Sequence, residues 1–383
     1  MKDKRAIVTS AGFIMLLICL LIACIITPDK VFSDNENRQL QQIPDLDAFT
    51  ITSGDYMKDF EVYASDNVVG RDAWVRIKNI TDITSGKKDN GSAYFGKDGY
   101  LFPIENIDEN QLQKNLTYVK TFIGNVREQN QNVGISVLIA PTSTEILKEK
   151  MPKYAPASNQ EKVMEDAAKY FGNMLINPSS MLLKHRNEYI YYKTDHHWTT
   201  LGAYYSYTVW AGQNNLKPVD KQKFNVEVIS SNFYGTTYSK AAGFKVEPDY
   251  IEKFSNHAID SVGMTIKSIK QIKHMDSLYD EKYLLTKDKY SFFLSGNNPM
   301  TEIEGTAENN SSILVIKDSY ANCFVPFITE HFKHVYVVDL RYYKQSLLEL
   351  IKQKNITDIL FLYNSIQFAN DRNLVYLKVV NKN

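Results

Sequence analysis

The stretch ILVIKDSYANCFVPFITEHFKHVYVVD, residues 313–339, decides the fold. It joins two apolar runs of strand length, 313–316 and 334–339, through a segment that has the composition of a helix despite Pro326. A third apolar run, 358–363, follows another helical segment, and VGISVLIA at 133–140 has the same character. Apolar strands separated by helices of about 10–15 residues indicate right-handed crossovers. We therefore predict an α/β fold with a doubly wound parallel sheet that helices cover on both faces.

The segments around these runs predict the remaining elements. Before VGISVLIA, five apolar residues at steps of three and four predict an amphipathic helix: Leu112, Leu116, Val119, Ile123 and Val126. AYFGKDGYLF, 93–102, predicts a hairpin around Asp98 and Gly99. Helical spacing over 56–77 is broken at Gly70. The region of about 217–306 is rich in Tyr, Phe, Ser and Asn with short strand-like runs, and we interpret it as an inserted β-rich subdomain beside the sheet.

The N-terminus predicts a membrane anchor. Basic residues precede an uncharged run from Ala6 to Thr27, which is long enough to cross a bilayer core of about 30 Å as a helix. The charge order predicts a single-pass protein with a cytoplasmic N-terminus and an extracellular remainder. We expect an anchor at 1–27, a polar stalk at 28–55 and an extracytoplasmic domain at 56–383. A cleaved signal peptide and a lipid anchor on Cys24 are the alternatives.

Charge and cysteine content exclude two classes of protein. Lys and Arg together number 44, as do Asp and Glu, so no net field attracts nucleic acid, and we expect no nucleic-acid partner. Cys19 and Cys24 lie in the apolar run, which leaves Cys323 alone in the soluble part. An intramolecular disulfide there is therefore excluded.

Strand ends are the places to look for a site, because functional loops leave the carboxyl ends of parallel strands. Lys317, Asp318 and Ser319 follow the run ILVI, where a serine hydroxyl would lie near the amides at the start of a helix. The alternative role for Ser319 is a helix N-cap.

The segment IYYKTDHHW, 190–198, supplies the groups that a serine nucleophile needs. A base must lie within hydrogen-bond reach of the serine, and a carboxylate must orient that base. Asp195 can orient a histidine two positions later within one loop. Asp195, His196 and His197 are also a plausible metal set, although no further ligand lies nearby in the sequence, and we expect no metal.

Other strand ends and turns supply candidates for oxyanion or substrate contacts. Asn364 closes the third run, and Tyr342 follows the second run in DLRYY. Gly296 and Asn297 belong to the turn-forming SGNNP. Asn364, Gly296 and Asn297 can equally serve as ordinary turn residues, and tyrosines are more often part of the core.

Taken in order, TDHHW, SGNNP, KDSYANCFVPF, DLRYY and FLYN resemble the motifs of the bacterial DHHW protein family. The likeness extends to SDNENRQL (33–40), GRDAW (70–74), FGKDGYLF (95–102) and APTSTEIL (140–147). The chain is more distantly similar to the alginate O-acetylation proteins AlgJ and AlgX. This wider group resembles SGNH hydrolases in a circularly permuted order, with the Asp-x-His element before the serine.

The resemblance assigns roles to particular residues. It implies that Ser319 is the nucleophile, with Asp318 before it, and that His197 is the general base oriented by Asp195. His196 and Lys317 depart from the related patterns: Lys317 stands where the hydrolases have glycine. Asn364 matches the oxyanion asparagine by its position after a strand.

The resemblance also implies a function. It predicts O-acetylation of a cell-surface polysaccharide or exopolysaccharide through an acetyl-Ser319 intermediate, without a cofactor. The implied partners are the polysaccharide acceptor and a membrane-bound acyltransferase that supplies acetyl groups. The alternatives are a polysaccharide acetylesterase with the same triad, a non-catalytic polysaccharide-binding or assembly protein, and a metal-dependent hydrolase.

Overall fold

The computed structural model describes residues 2–33, 38–46, 51, 54–241 and 244–379. Parts of the predicted stalk at 28–55 and of the motif SDNENRQL lie outside these residues. The described residues belong to two compact units, residues 1–90 with 239–245 and residues 91–238 with 246–383.

The elements are numbered along the chain. The strands are β1 (Phe32–Ser33), β2 (Arg38–Gln39), β3 (Ala93–Phe95), β4 (Leu101–Pro103), β5 (Gly134–Ala140), β6 (Leu175–Ile176), β7 (Asn225–Phe233), β8 (Asp249–Ser255), β9 (Met264–Lys267), β10 (Ile272–Met275), β11 (Met300–Glu304), β12 (Ser312–Lys317), β13 (His334–Val338) and β14 (Asp358–Asn364). The α-helices are α1 (Lys2–Ile26), α2 (Asp55–Asp66), α3 (Arg71–Thr84), α4 (Glu109–Gln129), α5 (Ser143–Ile146), α6 (Gln160–Phe171), α7 (Ser179–Lys184), α8 (Thr200–Gln213), α9 (Thr236–Ala241), α10 (His257–Asp260), α11 (Val325–Ile328), α12 (Leu347–Gln353) and α13 (Ser365–Asn370).

The first unit begins with the apolar helix α1. Its segment Lys4–Ile26 is long and apolar enough to cross a membrane, and none of it is buried against the rest of the chain. An anchor and a signal sequence both fit this helix. The strands β1 and β2 pair after it in antiparallel fashion.

Two further described helices belong to the first unit. They are α2 and α3, and the turn between them ends at Gly70, whose φ of 68° lies in the left-handed region that glycine adopts without cost. The predicted break in the helical pattern at Gly70 is therefore confirmed.

An eight-stranded mixed sheet forms the centre of the second unit, in the order β10-β9-β11-β13-β12-β14-β5-β6. The strands β13, β12, β14 and β5 are parallel, as the sequence predicts, and β6, which was not predicted, adds a fifth parallel strand beside β5. β11 pairs with β13 in antiparallel fashion, and β9 and β10 continue that antiparallel edge.

Helices cover both faces of this sheet. Successive side chains of each parallel strand point to opposite faces and pack in two apolar cores. In β5, Val137 and Ile139 belong to one core, and Leu138 and Ala140 belong to the other. The predicted stripe of α4 packs in the first core and is at most 4% exposed: Leu112, Leu116, Val119, Ile123 and Val126. The second core contains the large rings of α8, including Tyr207 and Trp210.

Two expectations need correction. The segment 217–306 does not form a subdomain beside the sheet, because its strands β9, β10 and β11 extend the sheet itself, and only β7 and β8 form a separate hairpin. The segment after β12 is not one helix but a 3₁₀ turn (Ser319–Cys323) followed by the single-turn α11, which has Pro326 in its first turn. Proline lacks the N–H that a continuous helix would need there. By contrast, the hairpin predicted at 93–102 is confirmed as β3 and β4.

Candidate active site

The serine turn, residues 317–323, leaves the carboxyl end of β12. Its shape is fixed by the buried Asp318 carboxylate, which accepts hydrogen bonds from the Tyr320 N–H at 2.9 Å and from the Asn364 N–H at 2.8 Å. The Asn364 side-chain amide donates a third bond to Asp318 at 2.7 Å. Ser319, the next residue, is only half-buried. The Asp318 carboxylate therefore links the end of β12 to the end of β14 and holds the Ser319 hydroxyl at the rim of the sheet.

The histidine loop, residues 189–198, is held by another buried carboxylate, Asp249 at the start of β8. Asp249 accepts hydrogen bonds from the Lys193 N–H at 2.8 Å, the Thr194 N–H at 2.7 Å and the Thr194 hydroxyl at 2.5 Å. The Tyr189 hydroxyl donates a further bond. Burial raises the pKa of the Asp249 carboxyl, although these donors oppose the shift. Four donors from one short loop thus converge on a single carboxylate.

The two segments meet in a continuous chain of hydrogen bonds. His197 Nε2 lies 2.7 Å from Ser319 Oγ, and His197 Nδ1 lies 2.5 Å from Asp195 Oδ1. The His197 backbone N–H also donates to Asp195 Oδ1 at 3.0 Å. His197 is 5% exposed and Asp195 is 2% exposed. The predicted members Asp195, His197 and Ser319 are therefore brought together in the order carboxylate, imidazole, hydroxyl.

The second oxygen of Asp195 is bound by the start of α9. Thr236 donates to Asp195 Oδ2 from its N–H at 2.8 Å and from its hydroxyl at 3.1 Å. This approach requires glycine at position 235, because a Cβ there would overlap the Asp195 side chain. Burial alone would raise the pKa of the Asp195 carboxyl, but His196, His197 and the donated hydrogen bonds outweigh burial and hold the pKa well below its usual range. Asp195 is consequently ionised throughout the neutral range.

The two adjacent histidines have different partners. His196 Nδ1 bonds the Thr236 hydroxyl at 2.7 Å and lies 3.7 Å from Asp195 Oδ1. Its ring lies 3.9 Å from the His197 ring, and its side chain is 35% exposed. Ser319 is hydrogen-bonded by His197, so the geometry favours His197 as the residue that can move the serine proton.

Aromatic residues fix the His197 ring and join the two segments. The Tyr290 ring stacks on His197 at 3.8 Å with an interplanar angle of 11°, and its hydroxyl donates to the Ser319 carbonyl at 3.1 Å. The Tyr320 hydroxyl donates to the His196 carbonyl at 2.6 Å, and the Trp198 indole donates to the Tyr320 carbonyl at 3.0 Å. These reciprocal bonds hold the serine turn against the histidine loop.

A buried lysine lies beside the serine in the sequence. Lys317 Nζ donates to Asn322 Oδ1 at 2.6 Å and to Asn297 Oδ1 at 2.7 Å, and it lies 3.8 Å from Asp339 Oδ2. Burial lowers the pKa of Lys317 to about 8, although Asp339 opposes the shift. Lys317 thus binds Asn297 of the SGNNP segment to the serine turn.

The other predicted site residues lie in distinct places. Asn364 binds Asp318 and accepts from the Gln367 N–H at 2.9 Å, so its side chain caps α13 and supports the serine turn. Gly296 is buried in a left-handed turn with φ of 79°, next to Asn297. Tyr342 is 50% exposed after β13, and its ring lies 5.6 Å from the Arg341 guanidinium.

The same residues include a possible set of metal ligands. One ligand atom from each of Asp195, His196 and His197 lies within 4.8 Å of the others. In the geometry described above, however, both nitrogens of His197 are hydrogen-bonded, to Asp195 and to Ser319. A metal ion would have to replace at least one of these bonds.

Three supporting residues were not found by sequence reasoning. Asp249 lies more than 50 positions from the loop that it holds, and Tyr290 is one of 25 tyrosines in the chain. Thr236 follows Gly235 in a segment whose sequence indicates only a turn. A single sequence carries no signal that connects these positions to Asp195.

Comparisons with known proteins give a family and a fold. The model of the DHHW protein family matches residues 117–338, more than half of the chain. A crystal structure of a DHHW family protein from Eubacterium siraeum has a TM-score of 0.64 and 24% identity, and the match covers 77% of this chain and 98% of that one. No protein of curated function matches the sequence.

Two further solved structures are similar to this chain to different degrees. Bacillus cereus PatB1 with a sulfonyl adduct has a TM-score of 0.61 and 19% identity over 74% of this chain and 96% of that one. The O-acetyltransferase domain of Pseudomonas putida AlgJ has a TM-score of 0.45 and 14% identity over 75% of this chain and 98% of that one. At these identities, the likeness to the Eubacterium and Bacillus structures establishes the fold alone.

Proposed function

The chain belongs to the DHHW protein family, and from this premise we propose that it is an acyltransferase whose nucleophile is Ser319. The observation that carries the proposal is the unbroken chain of hydrogen bonds from Asp195 through His197 to Ser319. A hydroxyl, an imidazole and a buried carboxylate in this order form the arrangement that activates serine for attack on a carbonyl. The Asp-x-His element precedes the serine, and we interpret this order as circularly permuted relative to SGNH hydrolases.

The first half-reaction forms an acyl-enzyme. Ser319 Oγ attacks the carbonyl carbon of an acyl ester while His197 Nε2 takes the hydroxyl proton. The tetrahedral intermediate then breaks its bond to the leaving oxygen, which receives that proton from His197. The ionised Asp195 keeps the Nδ1 proton of His197 in place and stabilises the imidazolium.

The second half-reaction transfers the acyl group. An acceptor hydroxyl loses its proton to His197 Nε2 and attacks the acyl carbon, and Ser319 Oγ leaves and recovers the proton. The half-exposed position of Ser319 gives an acceptor access to this atom. When water is the acceptor, the same steps give hydrolysis.

The proposed attack by Ser319 requires hydrogen-bond donors for a developing oxyanion. We assign the backbone part of this role to the Ser319 N–H at the start of the 3₁₀ turn. Asn297 is a second candidate, since its carbonyl oxygen is held by Lys317 and its amide nitrogen can donate. Asn364 supports the site indirectly through Asp318.

The acyl group and the acceptor in this proposal are those that the family resemblance implies. It supports acetyl transfer to a cell-surface polysaccharide or exopolysaccharide, with a membrane-bound acyltransferase supplying the acetyl group. In this proposal residues 1–27 anchor the chain, residues 28–55 form a stalk, and the domain of residues 56–383 lies outside the membrane. Acetyl-CoA is cytoplasmic, so a donor must reach the site across the membrane.

A mass-spectrometric experiment tests the proposal. Purified full-length chain in detergent is incubated with p-nitrophenyl acetate, with and without a neutral oligosaccharide, and then digested. We expect acetylated oligosaccharide and an acetyl adduct on the Ser319 peptide. The adduct adds about 42 Da, because an acetyl group replaces one hydrogen. Ser319→Ala should show neither product, whereas Ser261→Ala, which removes an exposed serine, should show both.

The same experiment separates the alternative functions. Release of acetate without acetylated sugar would indicate an esterase, and turnover lost upon addition of a chelator would indicate the metal-dependent hydrolase. Turnover that is unchanged in Ser319→Ala would overturn the serine mechanism. The sulfonyl adduct on a protein of this fold suggests a further probe, since a sulfonyl fluoride should modify Ser319 in the same assay.

A further inference from the structure

We propose that residues 67–74 of the first unit lie in the headgroup layer of the membrane that α1 enters. These residues comprise the turn before α3 and the first four residues of α3, and the whole segment is called the turn below. The chain would then touch the bilayer at a second point besides its helix. This inference rests on the membrane anchoring that the proposed function includes.

Hydrogen bonds hold this turn to the end of α1. The Val69 N–H donates to Cys24 Sγ at 3.4 Å, and Cys24 lies two residues before the last residue of the helix. The Lys30 N–H donates to Asn67 Oδ1 at 3.2 Å, and the Tyr63 hydroxyl donates to Asp29 Oδ2 at 2.9 Å. Three contacts therefore link the segment around residues 63–69 to residues 24–30.

These contacts limit how far the turn can lie from the membrane core. A helix rises 1.5 Å per residue, so Cys24 lies about 3 Å inside the end of α1. The headgroup layer is roughly 5–8 Å thick on each side of the hydrocarbon core. A backbone N–H that lies 3.4 Å from Cys24 Sγ is therefore at the boundary between the hydrocarbon core and that layer if α1 spans the core.

The side chains of the turn suit this position. Trp74 is 55% exposed, and its indole N–H is satisfied by the Val69 carbonyl at 3.2 Å, so the ring presents an apolar face. Val68, in the same turn, is 38% exposed. Lys30 and Asp72 form an ion pair at 3.6 Å, and both line a groove of about 300 Å³. The other lining residues are Thr27, Pro28, Ser33, Leu40, residues 66–71 and Ala73. Tryptophan with adjacent charged groups is typical of the membrane–water interface.

A lipid surface is favoured over a protein partner because the turn is bound to the helix that enters the bilayer. A protein occupant would need a site that reaches the same depth. Vesicles that contain lipid and this chain alone separate the two cases.

Tryptophan fluorescence gives a direct test, because the chain has three tryptophans and the other two are buried: Trp198 is 0% and Trp210 is 1% exposed. Full-length chain is reconstituted in phosphatidylcholine vesicles, in parallel with vesicles whose acyl chains are brominated near the headgroup. We expect the brominated lipid to quench a component of the emission that is absent in Trp74→Phe.

The outcomes are separable. If the chain remains in the membrane after carbonate extraction but Trp74 is not quenched, the interfacial position is wrong and the anchor stands. If carbonate removes the chain, both the anchor and this inference fail. Acetyl transfer to Ser319 is measured on the same samples, so loss of the proposed activity is distinguished from either result.

Discussion

The histidine loop and the serine turn are both positioned by buried carboxylates, but the two segments use different chemistry. Asp249 holds the histidine loop with uncharged donors, namely two backbone N–H groups, a threonine hydroxyl and a tyrosine hydroxyl. The serine turn combines Asp318 with the buried cation Lys317, which binds the amides of Asn297 and Asn322.

The triad carboxylate Asp195 and the buried charged groups of the serine turn respond differently to pH. In the histidine loop, Asp195 stays ionised because its neighbours hold its pKa well below the usual range. In the serine turn, burial raises the pKa of Asp318 to about 6 and lowers that of Lys317 to about 8. The serine turn therefore contains two groups that change charge near neutral pH, next to a triad carboxylate that does not.

The largest expected effect comes from breaking the bond that joins the two segments. Ser319→Ala and His197→Gln should each lower kcat for acetyl transfer by about 10⁶-fold, because residues of a triad act as a unit. For the same reason, the double variant should be no worse than either single variant. Steady-state kinetics with p-nitrophenyl acetate measure all three.

The matched controls are Ser261→Ala and His257→Gln, which replace exposed residues of the same types. Both should retain wild-type kcat. Multiplicative losses in the double variant would show that Ser319 and His197 act independently, contrary to the hydrogen bond at 2.7 Å.

A smaller effect should come from disturbing only the histidine side of the site. Gly235→Ala places a Cβ against Asp195, so the carboxylate or the Thr236 N–H must shift. A displacement of about 1 Å can cost roughly 10²-fold in rate, and we expect a loss of about this size in kcat. Gly124→Ala is the matched control, since its helical Cβ meets no atom within 4 Å. Equal activity of the two variants would contradict the packing of residue 235 on Asp195.

The parallel part of the sheet was predictable because its strands are buried on both faces. Such strands read as continuous apolar runs, and β5, β12, β13 and β14 follow those runs closely. The antiparallel edge was not predictable. β10 is largely exposed and its sequence, IKHM, is not apolar throughout, so nothing local indicates that it continues the central sheet.

The candidate site also has residues that the sequence predicts and residues that it does not. Asp195 and His197 lie in one short motif, and Ser319 follows an apolar strand, so their residue types and positions gave a testable triad. The groups that orient them come from distant segments: Tyr290 stacks on His197, and Asp249 holds the loop before Asp195. Contacts of this kind depend on the packing of the whole sheet, which one sequence does not encode in any local pattern.

A third prediction uses the serine turn alone. The pKa of Asp318 is raised from 3.8 to about 6, so the folded state favours its protonated form. The resulting stability is fully present below pH 4 and is lost as pH rises through 6. A shift of about 2 pH units corresponds to ~3 kcal/mol. Because pH 4 lies just above the unfolded pKa of 3.8, part of this stability is already lost there, and relative to Asp318→Asn wild type should lose ~2 kcal/mol of unfolding free energy between pH 4 and 7.

Urea unfolding of the full chain in detergent at the two pH values measures this difference. Asp276→Asn, at an exposed aspartate, serves as the control and should track wild type at both. A difference between wild type and Asp318→Asn that is constant with pH would contradict the raised pKa.

The smallest expected effect concerns the residue that distinguishes the two histidines. His196 contacts Thr236 and lies 3.7 Å from Asp195, whereas Ser319 is bonded by His197. His196→Gln removes an imidazole near the triad carboxylate but leaves the proton path intact, so kcat should fall by less than about 10-fold, against the 10²–10⁴-fold that a general base contributes. The measurement is the ratio of kcat for His196→Gln to that for His197→Gln, with and without chelator. Equal losses that also depend on chelator would mean that both imidazoles bind a metal ion. The histidine loop would then differ from the serine turn by holding that ion.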